Sequence, residues 1–517
     1  MIIKKFKNWK AKYKLLRINK IDNISLKKNQ FNNILFCPLN AITINTIRES
    51  IIALTCKIQG ANISMLYLDS DLPNSEFFKS QLDKLIYRIK VRNNIRFTKK
   101  LGINTYQTSN YKRHKTEHLD FNVNTIEKLE YKGILIGDLV VASTVRTFLS
   151  NGPEWNNPKF INTIIKVLNS VPILVAQYNK ILDESKPDKL VMSHGIYVSW
   201  GILFRLARKR GIPVDVYGSS YRKNSLRFYH NTPNAPIPAG EWGKFKSVDL
   251  NKIEMKILDS YISSRETHKD DNISLFDNNN YIPRHILDFL SKNKDKKIFC
   301  LFTNIAWDAF AFSEEKRFES MNEWIKETIN YFNTRNDAAL IIKAHPAEIY
   351  HKTPKKYRVR TFINTLKLNN NILLITEKEK IKPFWLYKKI NFGLIHISTV
   401  GIEMALQNIP VLTSGANGHY SNKEFTIDPK SKKEYFNKLS QLITNKLVFL
   451  PDINAAKKYM YFRFFREAID FDVITIDNPS TINSINIDSL EDLKKGKNKN
   501  IDIICNGILN NDEFINK

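Results

Sequence analysis

Short apolar runs recur along this chain, and each leads into a segment with helical spacing. Asn33-Ile-Leu-Phe-Cys37 reads as a buried strand. A helix follows through Ile47, Ile51, Leu54 and Ile58, Gly60 closes it, and Ile63-Ser-Met-Leu-Tyr-Leu68 is a second strand. A βαβ unit of this kind requires a parallel sheet with a right-handed crossover. The rhythm returns at Lys189-Leu-Val-Met-Ser193, a helix over 200–210 closed by Gly211, and Val214-Asp-Val-Tyr217. A long helix fits 160–183, and Gly133-Ile-Leu-Ile-Gly-Asp138 reads as a return to the sheet rim. Residues 75–130 are basic and polar and yield no assignment.

A second series begins at Lys297-Ile-Phe-Cys-Leu-Phe302. Strands at 339–343, 372–375, 392–395 and 410–413 alternate with helical segments at 318–332, 356–367, 401–407 and 432–444. The expected fold is α/β: two Rossmann-like, doubly wound parallel-sheet domains facing a cleft, with ligands beyond the carboxyl ends of the strands. Pro233, Pro236 and Pro238, then the polar runs Asp270-Asp271 and Asn278-Asn279-Asn280, put the boundary near 275–293. The expected parts are an arm over 1–30, a first domain over 31–290, a second over 291–450 and a tail over 451–517.

Composition limits the function. The 43% hydrophobic and 11% aromatic content excludes a wholly disordered chain. The net charge of +29 predicts attraction to something anionic, although Lys is spread along the whole chain. Cys37, Cys56, Cys300 and Cys505 lie far apart, with no zinc spacing, which suits a reducing cytosol. No run approaches 18 apolar residues, so no membrane span and no secretory leader are expected. Residues 1–30 hold ten basic residues against the single acid Asp22. Ile2, Phe6, Trp9, Tyr13 and Leu16 fall on one helical stripe, a pattern that fits an anionic membrane surface, a helix docked on its own protein, or a targeting peptide.

Four strand ends carry chemistry. Ser398-Thr399-Val-Gly401-Ile-Glu403 runs from a strand into a helix. Helix amides and the two hydroxyls there suit a phosphate, Gly401 permits close approach, and Glu403 suits ribose hydroxyls. The competing reading is a plain helix cap at Thr399. Lys343-Ala-His345-Pro346 offers two groups for a phosphate, or a histidine that only caps a helix. Thr303-Asn304-Ile-Ala-Trp307-Asp308 suits a donor pocket, or Trp307 is a packing anchor. In the first domain Asp138 or His194 is a candidate general base, and Arg222 and Arg227 are candidate clamps for an acidic group. No DxD-like carboxylate pair sits at a strand end of the second series, so no divalent metal is expected.

The order of these pieces resembles the bacterial capsule polysaccharide biosynthesis family, Kdo-transferase-like proteins with the GT-B glycosyltransferase fold. Gly137-Asp-Leu-Val-Val-Ala-Ser143, His194-Gly-Ile-Tyr197 with Tyr221-Arg222, and Thr303-Asn-Ile-Ala-Trp-Asp308 carry the likeness. So do Lys343-Ala-His-Pro-Ala-Glu348, Ser398-Thr-Val-Gly-Ile-Glu403, Gly415, Asp428 and Ile504-Cys-Asn-Gly-Ile508. The resemblance implies that the second domain binds the nucleotide of an activated sugar, with His345-Pro346 and Ser398-Thr399 on its phosphate. It implies an acceptor, polysaccharide or glycolipid, on the first domain, and a tail that returns to it. Lys343, where the family often has Arg, and Gln407-Asn408, where it usually has Gly or Ala, depart from the pattern. No cofactor is expected beyond the nucleotide-sugar substrate, possibly CMP-linked, and no nucleic-acid partner. The rivals are transfer of a polyol phosphate from a CDP-linked donor, and a non-catalytic subunit of a membrane assembly. The expected location is the cytoplasm, peripheral to the inner membrane face.

Overall fold

The computed structural model describes residues 2–18, 29–39, 42–69, 72, 80–110, 117–233, 239–266, 281–309, 317–414, 423–478 and 481–516. The polar runs at 270–271 and 278–280 and Gly415 lie outside them. In chain order the elements begin α1 (Ile2–Ile18), β1 (Asn33–Cys37), α2 (Thr43–Ile58), β2 (Asn62–Tyr67), α3 (Gln81–Lys100) and β3 (Asn104–Gln107). There follow β4 (Glu130–Tyr131), β5 (Ile134–Leu135), α4 (Gly137–Phe148), α5 (Pro158–Leu168), α6 (Val171–Ser185), β6 (Lys189–Ser193), α7 (Tyr197–Lys209), β7 (Val214–Ser219) and β8 (Ser225–His230). Next come α8 (Ala239–Lys246), α9 (Lys252–Arg265), α10 (Arg284–Lys292), β9 (Lys297–Phe302), α11 (Ala306–Ala309), α12 (Met321–Asn333), β10 (Ala338–Lys343) and α13 (Ala347–Tyr350). The chain continues through α14 (Val359–Ile363), β11 (Ile372–Ile375), α15 (Pro383–Tyr387), β12 (Phe392–Ile395), α16 (Val400–Leu406) and β13 (Val411–Thr413). It ends with α17 (Lys432–Ile443), α18 (Ile453–Tyr461), β14 (Ile469–Asp470), β15 (Ile474–Asn478), β16 (Thr481–Ile485) and α19 (Lys499–Asn510).

Two compact units form. The first holds Met1–Phe148, Pro153–Ala235 and Phe464–Lys517, and the second holds Leu149–Gly152 and Pro236–Arg463. The division therefore falls at 235, well before the 275–293 read from the loops. The reason is that α8 and α9 have their partners in the second unit. Trp242 packs edge-on against Tyr459 at 5.2 Å, and Arg265 pairs with Glu403.

The first unit is built on a seven-stranded sheet in the order β14-β8-β7-β6-β1-β2-β3. Strands β3, β2, β1, β6 and β7 are parallel. Strands β8 and β14 close one edge antiparallel. β1 and β6 are buried along nearly their whole length, as their unbroken apolar runs require of strands covered on both faces. The helix expected over 160–183 is two helices. Pro172 in the first turn of α6 lacks an N–H and crowds the carbonyl four residues back, so the chain breaks at Asn169-Ser170. Pro158–Ser185 is long and apolar enough to cross a membrane, unlike any run recognised in the sequence, yet most of it is buried inside the unit.

Gly133–Asp138 does not return to the sheet rim. β4 and β5 pair only with each other, and α4 starts at Gly137. A Cβ on Gly137 would lie 1.5 Å from the Ile126 carbonyl oxygen, so only glycine admits that approach. The carboxyl-terminal segment completes this unit. The Phe31 amide donates to the Leu509 carbonyl at 2.9 Å, and Lys189 reaches the Gly507 carbonyl and Asn511 from the centre of the sheet.

α1 docks within the same unit; of the stripe read from sequence, the side chains of Ile2 and Phe6 lie outside the described residues and Leu16 is half-buried. Asn8, Ala11 and Leu15 are buried, and the Asn8 side chain accepts from the Ile482 amide in β16. Lys7 and Lys14 pair with Asp477 and Asp488. Trp9 and Tyr13 stay outward, 59% and 52% exposed and stacked at 5.6 Å.

The second unit carries a five-stranded, all-parallel sheet in the order β11-β10-β9-β12-β13. Its core joins Phe299, Leu340 and Ile342 to Trp324, Phe332 and Tyr435, with the Trp324 indole donating to the Tyr435 hydroxyl at 2.9 Å. The helix expected over 356–367 is reduced to α14. In both units the first three strands step one way across the sheet and the next step the other way, the Rossmann-like double winding. Two such units in one chain are the content of a GT-B fold.

Candidate functional site

The winding reverses between β9 and β12 in the second unit, and such switch points are where open α/β sheets bind ligands. Asn304 stands just past β9, and its side-chain oxygen accepts from the Ile397 amide at 3.2 Å, past the end of β12. That bond fixes the loop holding Ser398 and Thr399, both half-buried. Thr399 makes no side-chain cap, so the simple capping reading does not describe it. Gly401 is buried in the first turn of α16, and its amide donates to the Ser398 carbonyl at 3.2 Å.

His345 follows β10, next to β9. Its amide donates to Thr303 Oγ1 at 3.0 Å, and its Nδ1 accepts from the Ala347 amide at 3.1 Å. The ring proton is thereby assigned to Nε2. Burial, with Lys343 and His351 nearby, holds this imidazole down to about 4, so at neutral pH it is an uncharged N–H donor. The capping and binding readings are thus compatible, since one ring nitrogen caps and the other remains a donor.

Two expected donor-site residues take other roles, and Trp307 takes the anchor role that was its alternative reading. Lys343 is buried and donates to the Glu379 carbonyl at 3.0 Å, and burial lowers it to about 8. Its ammonium is committed to backbone instead of a phosphate. Glu403 is buried with both oxygens engaged, one by Arg265 and the other by the Tyr387 hydroxyl at 2.7 Å. It fastens α9 to α16 and has no oxygen left for a ribose. Trp307 is an anchor inside the unit, donating to Thr353 at 3.1 Å. The side chain of Asp308 lies outside the described residues.

One residue of the Ser398-Thr399 loop carries no expectation from the sequence, His396. His396 follows β12 directly, its Nδ1 meets the Ser414 hydroxyl, and burial holds it down to about 4. The signal was its place after an apolar strand, the same one that singled out His345. Asp428 accepts from Thr413 at 2.9 Å and Thr426 at 3.0 Å, and burial raises it.

In the first unit the reversal lies between β1 and β6, and His194 follows β6. His194, Gly195 and Tyr197 all have left-handed backbones, with φ of 65°, 66° and 65°. For the two side-chain-bearing residues this is strain of about 1–3 kcal/mol each, the kind that concentrates at functional sites. Gly195 has no alternative, because a Cβ there would meet Pro233 Cβ at 2.9 Å. The His194 ring stands edge-on to Trp200 at 5.3 Å. Burial, then Arg146 and Arg227, hold it down to about 4, so it is an unprotonated imidazole at neutral pH.

The other candidate base, Asp138, is not at a strand end. It occupies the first turn of α4 in a two-pronged pair with Arg205, at 2.6 and 2.5 Å. Arg222 is likewise engaged, with Asp470 at 2.6 Å and the Phe464 carbonyl at 2.5 Å, and holds the returning tail. Of the two candidate bases, Asp138 is thus engaged by Arg205, and His194 is the one that stands at a strand end. Among the described residues, no three of His, Cys, Asp and Glu stand together as a metal-binding group.

No family model matches the chain, and no curated protein does. Solved structures similar to it include the Thermosulfurimonas dismutans KpsC beta Kdo 2,4 transferase, at 11% identity, 59% of this chain, 86% of that one and a TM-score of 0.34. The UDP-GlcNAc 2-epimerase of Neisseria meningitidis, bound to UDP-GlcNAc, matches at 11% identity over 83% of this chain and 97% of that one, with a TM-score of 0.26. Sucrose-phosphate synthase from Thermosynechococcus elongatus matches at 9% identity over 84% and 95%, with a TM-score of 0.29.

Proposed function

We propose that this chain is a glycosyltransferase that moves a sugar from a nucleotide-activated donor to a growing surface polysaccharide or glycolipid. The observation that carries the reading is the switch point of the second unit, where Asn304 ties down the Ser398-Thr399 loop and its neighbour Thr303 takes the amide of a neutral imidazole donor, His345. The hydroxyls of Ser398 and Thr399 and the Nε2–H of His345 would meet a donor phosphate. Fixed donors of this kind stabilise the charge that grows on a departing phosphate. In the first unit His194 would take the proton of the acceptor hydroxyl as its oxygen bonds to the sugar carbon and the phosphate leaves.

In the same proposal the enzyme works in the cytoplasm, peripheral to the inner face of the membrane, with α1 keeping Trp9 and Tyr13 outward. Thermal stabilisation by CMP, CDP, UDP and GDP tests the reading, since a specific ligand raises the melting temperature. One nucleotide is expected to stand out, and His345→Ala to lose most of that shift and about 10²–10³ in turnover. No response to any nucleotide would favour the non-catalytic subunit. A product heavier by a phosphate would favour polyol-phosphate transfer.

A further inference from the structure

α3 presents two opposite faces. Tyr87, Val91, Asn94, Ile95 and Thr98 are buried and fix it on the first unit. On the far side Leu82, Leu85, Ile86 and Ile89 are 65%, 53%, 42% and 51% exposed. Their spacing of three, one and three residues is one continuous helical stripe, turned to solvent. Soluble chains rarely leave four large aliphatic side chains together in water, and such patches mark a contact.

The charge around the stripe selects the contact. Arg88, Lys90, Arg92, Arg96, Lys99 and Lys100 are all exposed on this helix, against the single acid Asp83. α1 lies alongside, with Lys12 Nζ 2.7 Å from Asn94 and over the Phe97 ring. Its exposed Trp9 and Tyr13 therefore belong to the same region of the unit.

We infer that the outward face of α3 is a docking surface for an anionic lipid bilayer. Leu82, Leu85, Ile86 and Ile89 enter the headgroup layer, and the arginines and lysines meet lipid phosphates. The combination is that of a helix lying in a membrane interface: aliphatic groups supply burial, and each basic residue near the surface adds about 1 kcal/mol. A second copy of this chain would bring the same cations face to face. The inference deepens the peripheral-membrane reading above by moving its main contact from α1 to α3.

Flotation of the full chain with phosphatidylglycerol/phosphatidylcholine vesicles, against phosphatidylcholine alone, tests it. Binding is expected only with the anionic lipid. Leu85→Glu with Ile89→Glu should weaken it about tenfold or more, while nucleotide stabilisation is unchanged. A second measurement covers a misfolded variant. The four native cysteines are buried, so Leu82→Cys accepts an environment-sensitive fluorophore selectively, and its emission should shift to the blue on anionic vesicles.

If the chain binds but ignores both α3 changes and depends only on Trp9 and Tyr13, the inference fails and the membrane reading stands. If it binds no vesicle, both fail. If the stripe instead drives concentration-dependent dimerisation that Leu85→Glu abolishes, a second copy is the occupant and the inference is overturned.

Discussion

Each unit places a histidine just past a parallel strand, His194 after β6 and His345 after β10, but the two sit on different backbones. His345 is held by bonds, its amide on Thr303 and its Nδ1 on the Ala347 amide. His194 sits on a left-handed backbone, at a φ of 65° with Gly195 and Tyr197 left-handed beside it, and its amide reaches the Tyr217 carbonyl at 3.4 Å. The difference suits different work. A phosphate-binding donor needs a fixed N–H and a defined tautomer, which hydrogen bonds provide. A proton acceptor must keep both an open lone pair and a chosen direction, and a backbone imposed by the surrounding packing can aim a ring without occupying its nitrogens.

The largest expected effect separates the two histidines. His194→Ala should lower turnover about 10²–10⁴ fold, with nucleotide stabilisation intact. The two backbones should also rank substitutions in opposite order. At position 194 glycine should melt above alanine by about 1 kcal/mol, because a left-handed φ penalises any Cβ. At position 345 alanine should be at least as stable as glycine. Melting curves of the four variants decide the matter, and the same order at both sites would mean that the left-handed backbone carries no cost at position 194.

The next effect compares how each unit fastens a helix distant in sequence. In the first, buried Lys189 and Asp215 pair at 3.1 Å, with His230 on the other Asp215 oxygen at 2.7 Å, and the lysine reaches α19. In the second, Arg265 on α9 grips Glu403 on α16. Removing one partner strands a buried charge, so Arg265→Ala should cost about 3–5 kcal/mol. Arg205→Ala, which breaks the half-exposed pair with Asp138, should cost under about 1 kcal/mol. Equal losses in denaturant titrations would show that burial does not set the value of these pairs.

Much of the fold was legible because parallel strands covered on both faces are written as unbroken apolar runs, as at 33–37, 189–193 and 297–302. The histidines at strand ends, His194 and His345, were legible for the same reason, since each follows such a run. What stayed hidden depends on distant partners. Nothing near Glu403 announces Arg265, 138 residues away, and nothing near Asp138 announces Arg205. α3 was unreadable because it is apolar on two faces, so its period does not resolve into an inside and an outside. The arm misled for a related reason: Trp9 and Tyr13, two conspicuous members of its stripe, are outward, and the buried residues are the modest Asn8, Ala11 and Leu15.

The last comparison concerns a buried carboxylate behind each histidine, and its effect appears only as pH changes. In the first unit Glu49 accepts from the Tyr217 hydroxyl, and the Tyr217 carbonyl takes the His194 amide at 3.4 Å. Burial raises Glu49 to about 8. In the second, Glu348 accepts from the Val359 amide at 3.0 Å, and burial raises it to about 7. Both carboxyls are more protonated in the folded chain than in the unfolded one, whose glutamates titrate near about 4.3. Their contribution is therefore complete below that value and is lost as pH rises through the folded value. The histidines act in the opposite sense. Held down to about 4, His194 and His345 contribute fully above about 6.5 and lose that contribution as pH falls. Glutamine imitates the protonated carboxyl without titrating. The stability of Glu49→Gln relative to the parent should rise with pH from about 4.3 and level off near 8. For Glu348→Gln the rise should stop near 7. A difference that stays flat from acid to alkali would mean that the carboxyl is ionised in the folded chain, with buried Arg48 beside Glu49 as its counterion.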